Sequence, residues 1–187
     1  MLAPVLAKMF YADILNGFWP KSITSMDKAV ALEESWESSF YTTYSKADHQ
    51  NIFSTDFLSL YNNSSDSSSV VNYPVWLINT TAVETGKQAY ISNVKTKGTF
   101  LDASRDLLST RLQNRVAYST AINFSSRFPL VSPPAAVELD KNTTFHYVDG
   151  GYVENTGSKS MYELVSEIRG SLDTLNIVPY VLHLRFG

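Results

Sequence analysis

The residues best placed to do chemistry stand together near the C-terminal end, in Asp149-Gly150-Gly151-Tyr152-Val153-Glu154-Asn155, directly behind the apolar run Phe145-His146-Tyr147-Val148. A strand that delivers a carboxylate into a Gly-Gly turn lets backbone approach a reacting group closely, and an acid so placed can serve as a general base. A base also needs something to deprotonate. None of the eight glycines belongs to a G-x-S-x-G elbow, the strained strand-to-helix turn that exposes a nucleophilic serine. Ser119 and Ser126 can be imagined in its place, yet neither has a strained turn or oxyanion donors beside it in sequence. The bland reading of Asp149 is an ordinary loop carboxylate, because Asp-Gly is among the commonest turn dipeptides.

Other chemistries find little support. The chain has no cysteine, which removes thiolate metal sites, Cys nucleophiles and a disulfide-stapled scaffold together. His49, His146 and His183 are far apart and form no metal-ligand spacing with a carboxylate, so neither a metal nor a cofactor is expected. A net charge of −3 with scattered Lys and Arg gives no basic field, and nucleic acid is not an expected partner. Glu33, Glu34 and Glu37 read as a solvated helix face. Arg127, beside Phe128-Pro129, reads as a loop anchor held by ion pairing rather than a substrate contact. Five Asn-x-Ser/Thr sequons, at Asn62, Asn63, Asn79, Asn123 and Asn142, are what a chain rich in these residues produces by chance.

The elements that must position Asp149 follow from periodicity. With 187 residues and 44% hydrophobic content, the chain is long and apolar enough for one packed core. Leu2, Val5, Leu6, Met9, Phe10 and Ile14 repeat at helical spacing, and Phe18-Trp19-Pro20 ends the pattern. That helix has no cap before it, from which an edited or internal start at Met1 is expected. Lys8 and Asp13 interrupt the stretch, which reads neither as a signal peptide nor as a membrane span and leaves the compartment unassigned. The nearby aromatics Phe10, Tyr11, Phe18 and Trp19 read as core rather than as an acyl pocket.

Asp27 is a fair N-cap for a helix carrying Ala29, Leu32, Trp36 and Phe40 on one face. A short helix fits within 51–61, followed by the polar run 62–69, expected to be a mobile surface loop. Val75 to Thr80 and Gln88 to Val94 read as adjacent strands joined through Thr85-Gly86-Lys87. A single helix is expected over 105–122, then a rigid Pro-rich loop through Pro134, and a strand at Phe145 to Val148. Ser160-x-x-Glu163 reads as a capping box opening a helix that presents Met161, Leu164, Val165 and Ile168 and ends at Gly170. A final strand is expected over 177–186, giving the strand, helix, strand order of a βαβ unit.

With these pieces in place the chain resembles the patatin-like phospholipase family, serine lipid acyl hydrolases with a three-layer α/β/α fold. Asp149-Gly150-Gly151, followed by Tyr152 and Asn155, is similar to the family's D-G-[GA] motif. The stretch from Ala117 through Arg127-Phe128-Pro129 to Ser132-Pro133 resembles the small-residue helix and "FP…P" loop that precede it, and Val75 to Lys87 resembles a strand and T-G-K turn midway through the domain. Leu2 to Leu6 and the helix around Trp36 look like the region after the nucleophile in some bacterial members.

The resemblance spans nearly all of residues 1–187 but only the C-terminal part of the single family domain, because the Gly-rich oxyanion loop and the elbow that open that domain have no counterpart here. It implies an incomplete α/β sheet whose N-terminal strands lie on another segment, expected to complete it. It further implies a Ser-Asp dyad in which this chain supplies Asp149 and lacks the serine, with Gly150 and Gly151 setting backbone geometry. The substrate would be a lipid or other acyl ester, the parent a serine esterase or phospholipase able to associate with a membrane surface, and the chain alone inactive. The second reading is a non-catalytic binding or scaffold protein on the same fold.

Overall fold

The computed structural model describes residues 28–44, 51–62, 74–94, 105–113, 115–128, 132–140 and 142–184. The helical pattern and aromatics of residues 2–19, the Asp27 cap, His49 and the polar run 63–69 lie outside the described residues.

Two hairpins make the sheet. Strands β1 (Leu77–Ala82) and β2 (Lys87–Ser92) are the adjacent pair expected, with Ile78 opposite Ile91, across a tight turn where Gly86 takes a φ of +63° that side chains resist. Strands β3 (Ala135–Asp140) and β4 (Thr143–Asp149) form the second hairpin, with a register irregularity between Glu138 and Asp140. The sheet order is β2-β1-β4-β3 and all its pairings are antiparallel, so the described residues combine helices with a four-stranded antiparallel sheet. β3, directly after the Pro-rich loop, is a strand not named from the sequence. Its alternation of buried Ala135 and Val137 with exposed Ala136 and Glu138 is the pattern of a strand with one face on the core.

Strand alternation divides the residues between two environments. Ile78, Ala89, Ile91, Val137 and Tyr147 join Phe57, Leu107, Leu108, Ala121 and Phe124 in one apolar core. Phe57 and Ile91 are fully buried, a contribution of roughly 1.5–3 kcal/mol each. The other face carries Asn79 and Gln88, whose side chains converge on the hydroxyl of Ser160 at 2.8–3.3 Å.

The single helix expected over 105–122 is two short ones, α3 (Leu107–Thr110) and α4 (Tyr118–Phe124), the helix over 59–62 being α2 (Ser59–Asn62). Tertiary hydrogen bonds explain the break. Asp56 accepts from Val116 N, Val116 O accepts from Phe57 N, and the first donors of α4, Tyr118 N and Ser119 N, go to Thr55 O and Phe53 O. Backbone groups satisfied across the chain in this way have no need of a continuous helix.

Helix α1 (Lys28–Tyr44) corrects the reading of its acids. Glu34 is exposed, but Glu33 and Glu37 face α4: Glu33 accepts from Thr120 Oγ1 (2.6 Å) and Asn123 Nδ2 (2.7 Å), and Glu37 from Ser119 Oγ (2.7 Å). Arg127, with a side chain 6% exposed, lies 3.6 Å from Glu33 Oε1 and donates to Pro133 O. This is the anchoring role expected of Arg127.

Helix α5 (Ser158–Thr174) runs through Gly170 rather than ending there, and Ser160-x-x-Glu163 is not its capping box. Ser160 turns inward to the sheet, and Glu163 pairs with Arg105 at 2.8 Å. The N-cap position is Gly157, and Glu154 takes over the capping by accepting from Lys159 N (2.6 Å) and from Thr156 N and Oγ1. Residues 177–184 form no regular element and pair with no strand among the described residues, contrary to the final strand expected there. A β-rich run forms a strand only beside an edge that accepts its hydrogen bonds, and here Val178, Tyr180 and Leu182 stand in solvent.

Two outcomes are expected. Glu33→Ala removes a buried carboxylate that accepts from Thr120 and Asn123 and pairs with Arg127, and costs about 3 kcal/mol, measured as a shift in urea midpoint. Burial pushes the Glu154 carboxyl up, but its hydrogen bonds from Thr156, Lys159 and Gly157 outweigh this and hold it below the ordinary carboxylate range. A carboxyl depressed on folding stabilises above its unfolded value and loses that contribution as pH falls through its folded value. Glu154→Gln therefore lowers Tm at about pH 7, and the gap to the unmodified chain narrows toward about pH 3.

Candidate functional site

β4 ends at Asp149, and its last three residues bridge the two hairpins, with Asp149 opposite Thr80, Val148 opposite Thr81 and Tyr147 opposite Ala82. Phe145, Tyr147 and Asp149 alternate onto the face that carries the core, so the carboxylate emerges where that core opens to solvent. Its backbone is held from both sides. Asp149 N donates to Arg127 O (3.0 Å), and Asp149 O accepts from Thr81 Oγ1 (2.9 Å). One residue earlier, Val148 O accepts from the fully buried Thr80 hydroxyl at 2.7 Å.

The side chain is fixed by the turn that follows. Gly151 N donates to Asp149 Oδ1 at 2.6 Å within a 3₁₀ turn over Gly150–Tyr152, while Oδ2 accepts no hydrogen bond from any described residue. One oxygen is thus an anchor and the other is open to a ligand. Gly150 is required by close approach: a Cβ there would lie 2.7 Å from the Asn79 carbonyl carbon and nearer still to its oxygen. A Cβ on Gly151 would sit 2.9 Å from Asp149 Oδ1 and 3.1 Å from Asn155 Oδ1, so the second glycine keeps room for the carboxylate itself.

Asp149 forms part of the wall of two adjoining hollows. The larger, about 420 Å³, is bounded by Trp76, Leu77, Ile78 and Ile122 on its apolar side and by Asn79, Ser125, Glu154 and Asn155 on its polar side. The smaller, about 200 Å³, is bounded by Phe128, Gly151, Tyr152 and Asn155. Asp149, Gly151 and Asn155 belong to both.

The serines named from the sequence lie elsewhere. Ser119 is fully buried with its hydroxyl on Glu37, and Ser126 donates to Asn123. The serine that does share the cleft, Ser125, was not singled out by sequence. It sits at the C-cap of α4, where the negative end of the helix opposes an alkoxide and no oxyanion donors are gathered. His146 lies on β4 with Nδ1 2.8 Å from Glu84 Oε1, away from both hollows. Trp76 and Asn79 also escaped notice as site residues, since nothing local to them indicates which residues the fold brings beside the end of β4. Asn155 alone carried a signal, its fixed distance from Asp149.

No family model, curated protein or solved structure matches this chain.

The two glycines are expected to respond differently to alanine. Gly150→Ala collides with backbone and costs about 2–3 kcal/mol. Gly151→Ala meets only side-chain oxygens and costs less than about 1 kcal/mol, yet it displaces the carboxylate. Chemical denaturation together with the ¹³C resonance of the Asp149 carboxyl carbon separates the two effects.

Proposed function

We propose that this chain supplies the proton-accepting half of a serine acyl hydrolase of the patatin-like kind, with Asp149 as the general base. The observation that carries the reading is the state of the Asp149 carboxylate: tethered through Oδ1 to Gly151 N at 2.6 Å, with Oδ2 left to the cleft at a strand end. A base must hold still and keep one lone pair available, and this geometry meets both demands. In the proposed reaction Oδ2 accepts the proton of a serine hydroxyl as that oxygen attacks an ester carbonyl. The proton then passes to the leaving alkoxide as the acyl-enzyme forms, and water repeats the cycle.

In this proposal the serine belongs to a G-x-S-x-G elbow and the oxyanion donors to a Gly-rich loop, neither of which occurs in these 187 residues. Sheet order gives room for the finer fold proposal, a three-layer α/β/α arrangement. α4 packs on the core face, and the N-terminal end of α5 reaches the opposite face through Ser160. The lipid or acyl-ester substrate and any membrane-surface association of the parent belong to the same proposal.

A second reading, a binding or scaffold protein on this fold, is favoured by one observation, the lack of an elbow in this sequence. The test is hydrolysis of a p-nitrophenyl acyl ester by the protein joined to its elbow-bearing segment. Asp149→Asn is expected to lower kcat by at least about 10²-fold while leaving the unfolding midpoint close to that of the unmodified protein. Unchanged turnover in that variant removes Asp149 from the mechanism, and an upstream segment with no serine elbow selects the scaffold.

A further inference from the structure

The smaller hollow beside Asp149 has a feature that proton transfer does not use. Phe128 and Tyr152 stack on one another there, ring centroids 5.9 Å apart and planes 29° from parallel, yet each remains more than half exposed, at 53% and 54%. Aromatic pairs of this kind are ordinarily buried, because each ring carries a large apolar surface. Here the pair is held in the open by the same contacts that hold the carboxylate. Phe128 directly follows Arg127, whose carbonyl accepts from Asp149 N, and its own N and O are tied to Ser126 O and Ser132 N. Tyr152 directly follows Gly151, whose N–H holds Asp149 Oδ1. Both rings are therefore one residue away from a hydrogen bond to Asp149.

Charge narrows what such a shelf can take. Among the described residues that line the two hollows there are two carboxylates, Asp149 and Glu154, and no Lys, Arg or His. An anionic group entering beside Asp149 meets like charge and finds no counter-ion. Glu154 is already engaged by the N-terminal turn of α5, accepting from Thr156 and Lys159.

We infer that the Phe128–Tyr152 pair is the subsite for the uncharged, flat apolar group on one side of the ester, with the remainder of the ester in the larger hollow along Trp76 and Ile122. This rests on the hydrolase reading and deepens it. The substrate class is a neutral ester whose group next to the reacting carbonyl is an aryl or short alkyl unit, and a phosphate-bearing group is rejected at that position. Discrimination arises from stacking on one side and carboxylate repulsion on the other.

Binding of N-phenylbutanamide, an uncharged and uncleavable ester mimic, to the full 187-residue chain tests the inference without requiring turnover. Isothermal titration and nuclear Overhauser contacts between the ligand ring and the protein are the readouts. Phe128→Ala and Tyr152→Ala are each expected to weaken binding five-fold or more, Phe128→Leu to weaken it less, and phenyl phosphate to bind at least ten-fold more weakly than the amide. Amide affinity unchanged in both alanine variants overturns the subsite, as does the absence of binding to the unmodified chain or equal affinity for phenyl phosphate. The hydrolase reading is judged separately, by the effect of Asp149→Asn on turnover. Loss of amide binding in the aromatic variants alongside full turnover in Asp149→Asn keeps the shelf as a binding site and rejects the base.

Discussion

The pairing of β1 with β4 is the constraint on which the rest of the molecule depends. It consists of three residue pairs, and it joins two hairpins that would otherwise be separate ribbons. Hairpins alone are marginal in water, so the short seam must be reinforced. Two threonines in β1 do this, Thr80 bonding to Val148 O and Thr81 to Asp149 O, while Gly150 lets the chain turn against the Asn79 carbonyl. A larger residue at 150 would push the end of β4 away from β1 and carry the carboxylate with it.

Polar side chains, more than apolar ones, fix the layers on either side of that seam. On the core face the Glu33, Asn123 and Arg127 cluster ties α1 to α4 and to the loop that supports Asp149 from behind. On the other face the Asn79, Gln88 and Ser160 cluster ties the start of α5 to β1 and β2. Buried polar groups satisfied in this way add less net stability than an apolar core, but they strongly disfavour any other register. The site gains from that rigidity: a carboxylate held by one N–H can present its other oxygen in a constant direction.

What was legible in the sequence was local. The β1–β2 hairpin followed from two β-rich runs around Thr85-Gly86-Lys87, and the strand leading to Asp149 from the apolar run before a Gly-Gly turn, because residues adjacent in sequence determine both. What escaped notice was set by partners far along the chain. The expected long helix breaks ahead of Tyr118 because Asp56, Thr55 and Phe53 accept from Val116 N, Tyr118 N and Ser119 N. Glu33 and Glu37 turn inward because Ser119, Thr120 and Asn123 wait there. Ser160 has the spacing of a cap but serves the sheet, and Glu154 caps in its place through a loop of five residues. The site shows the same division, Asp149 and its glycines being readable while Asn79, Ser125 and the Phe128–Tyr152 stack meet only through the fold.

We propose that Asp149 Oδ2 faces a serine hydroxyl delivered by another segment. The most direct measurement is a crystal structure of the protein extended by the proposed elbow-bearing segment, after reaction with a fluorophosphonate. The account expects phosphonylation of the elbow serine alone, with its Oγ roughly 2.6–3.2 Å from Asp149 Oδ2. Modification of Ser125 or another serine of this chain, or a modified serine remote from Asp149, would contradict it.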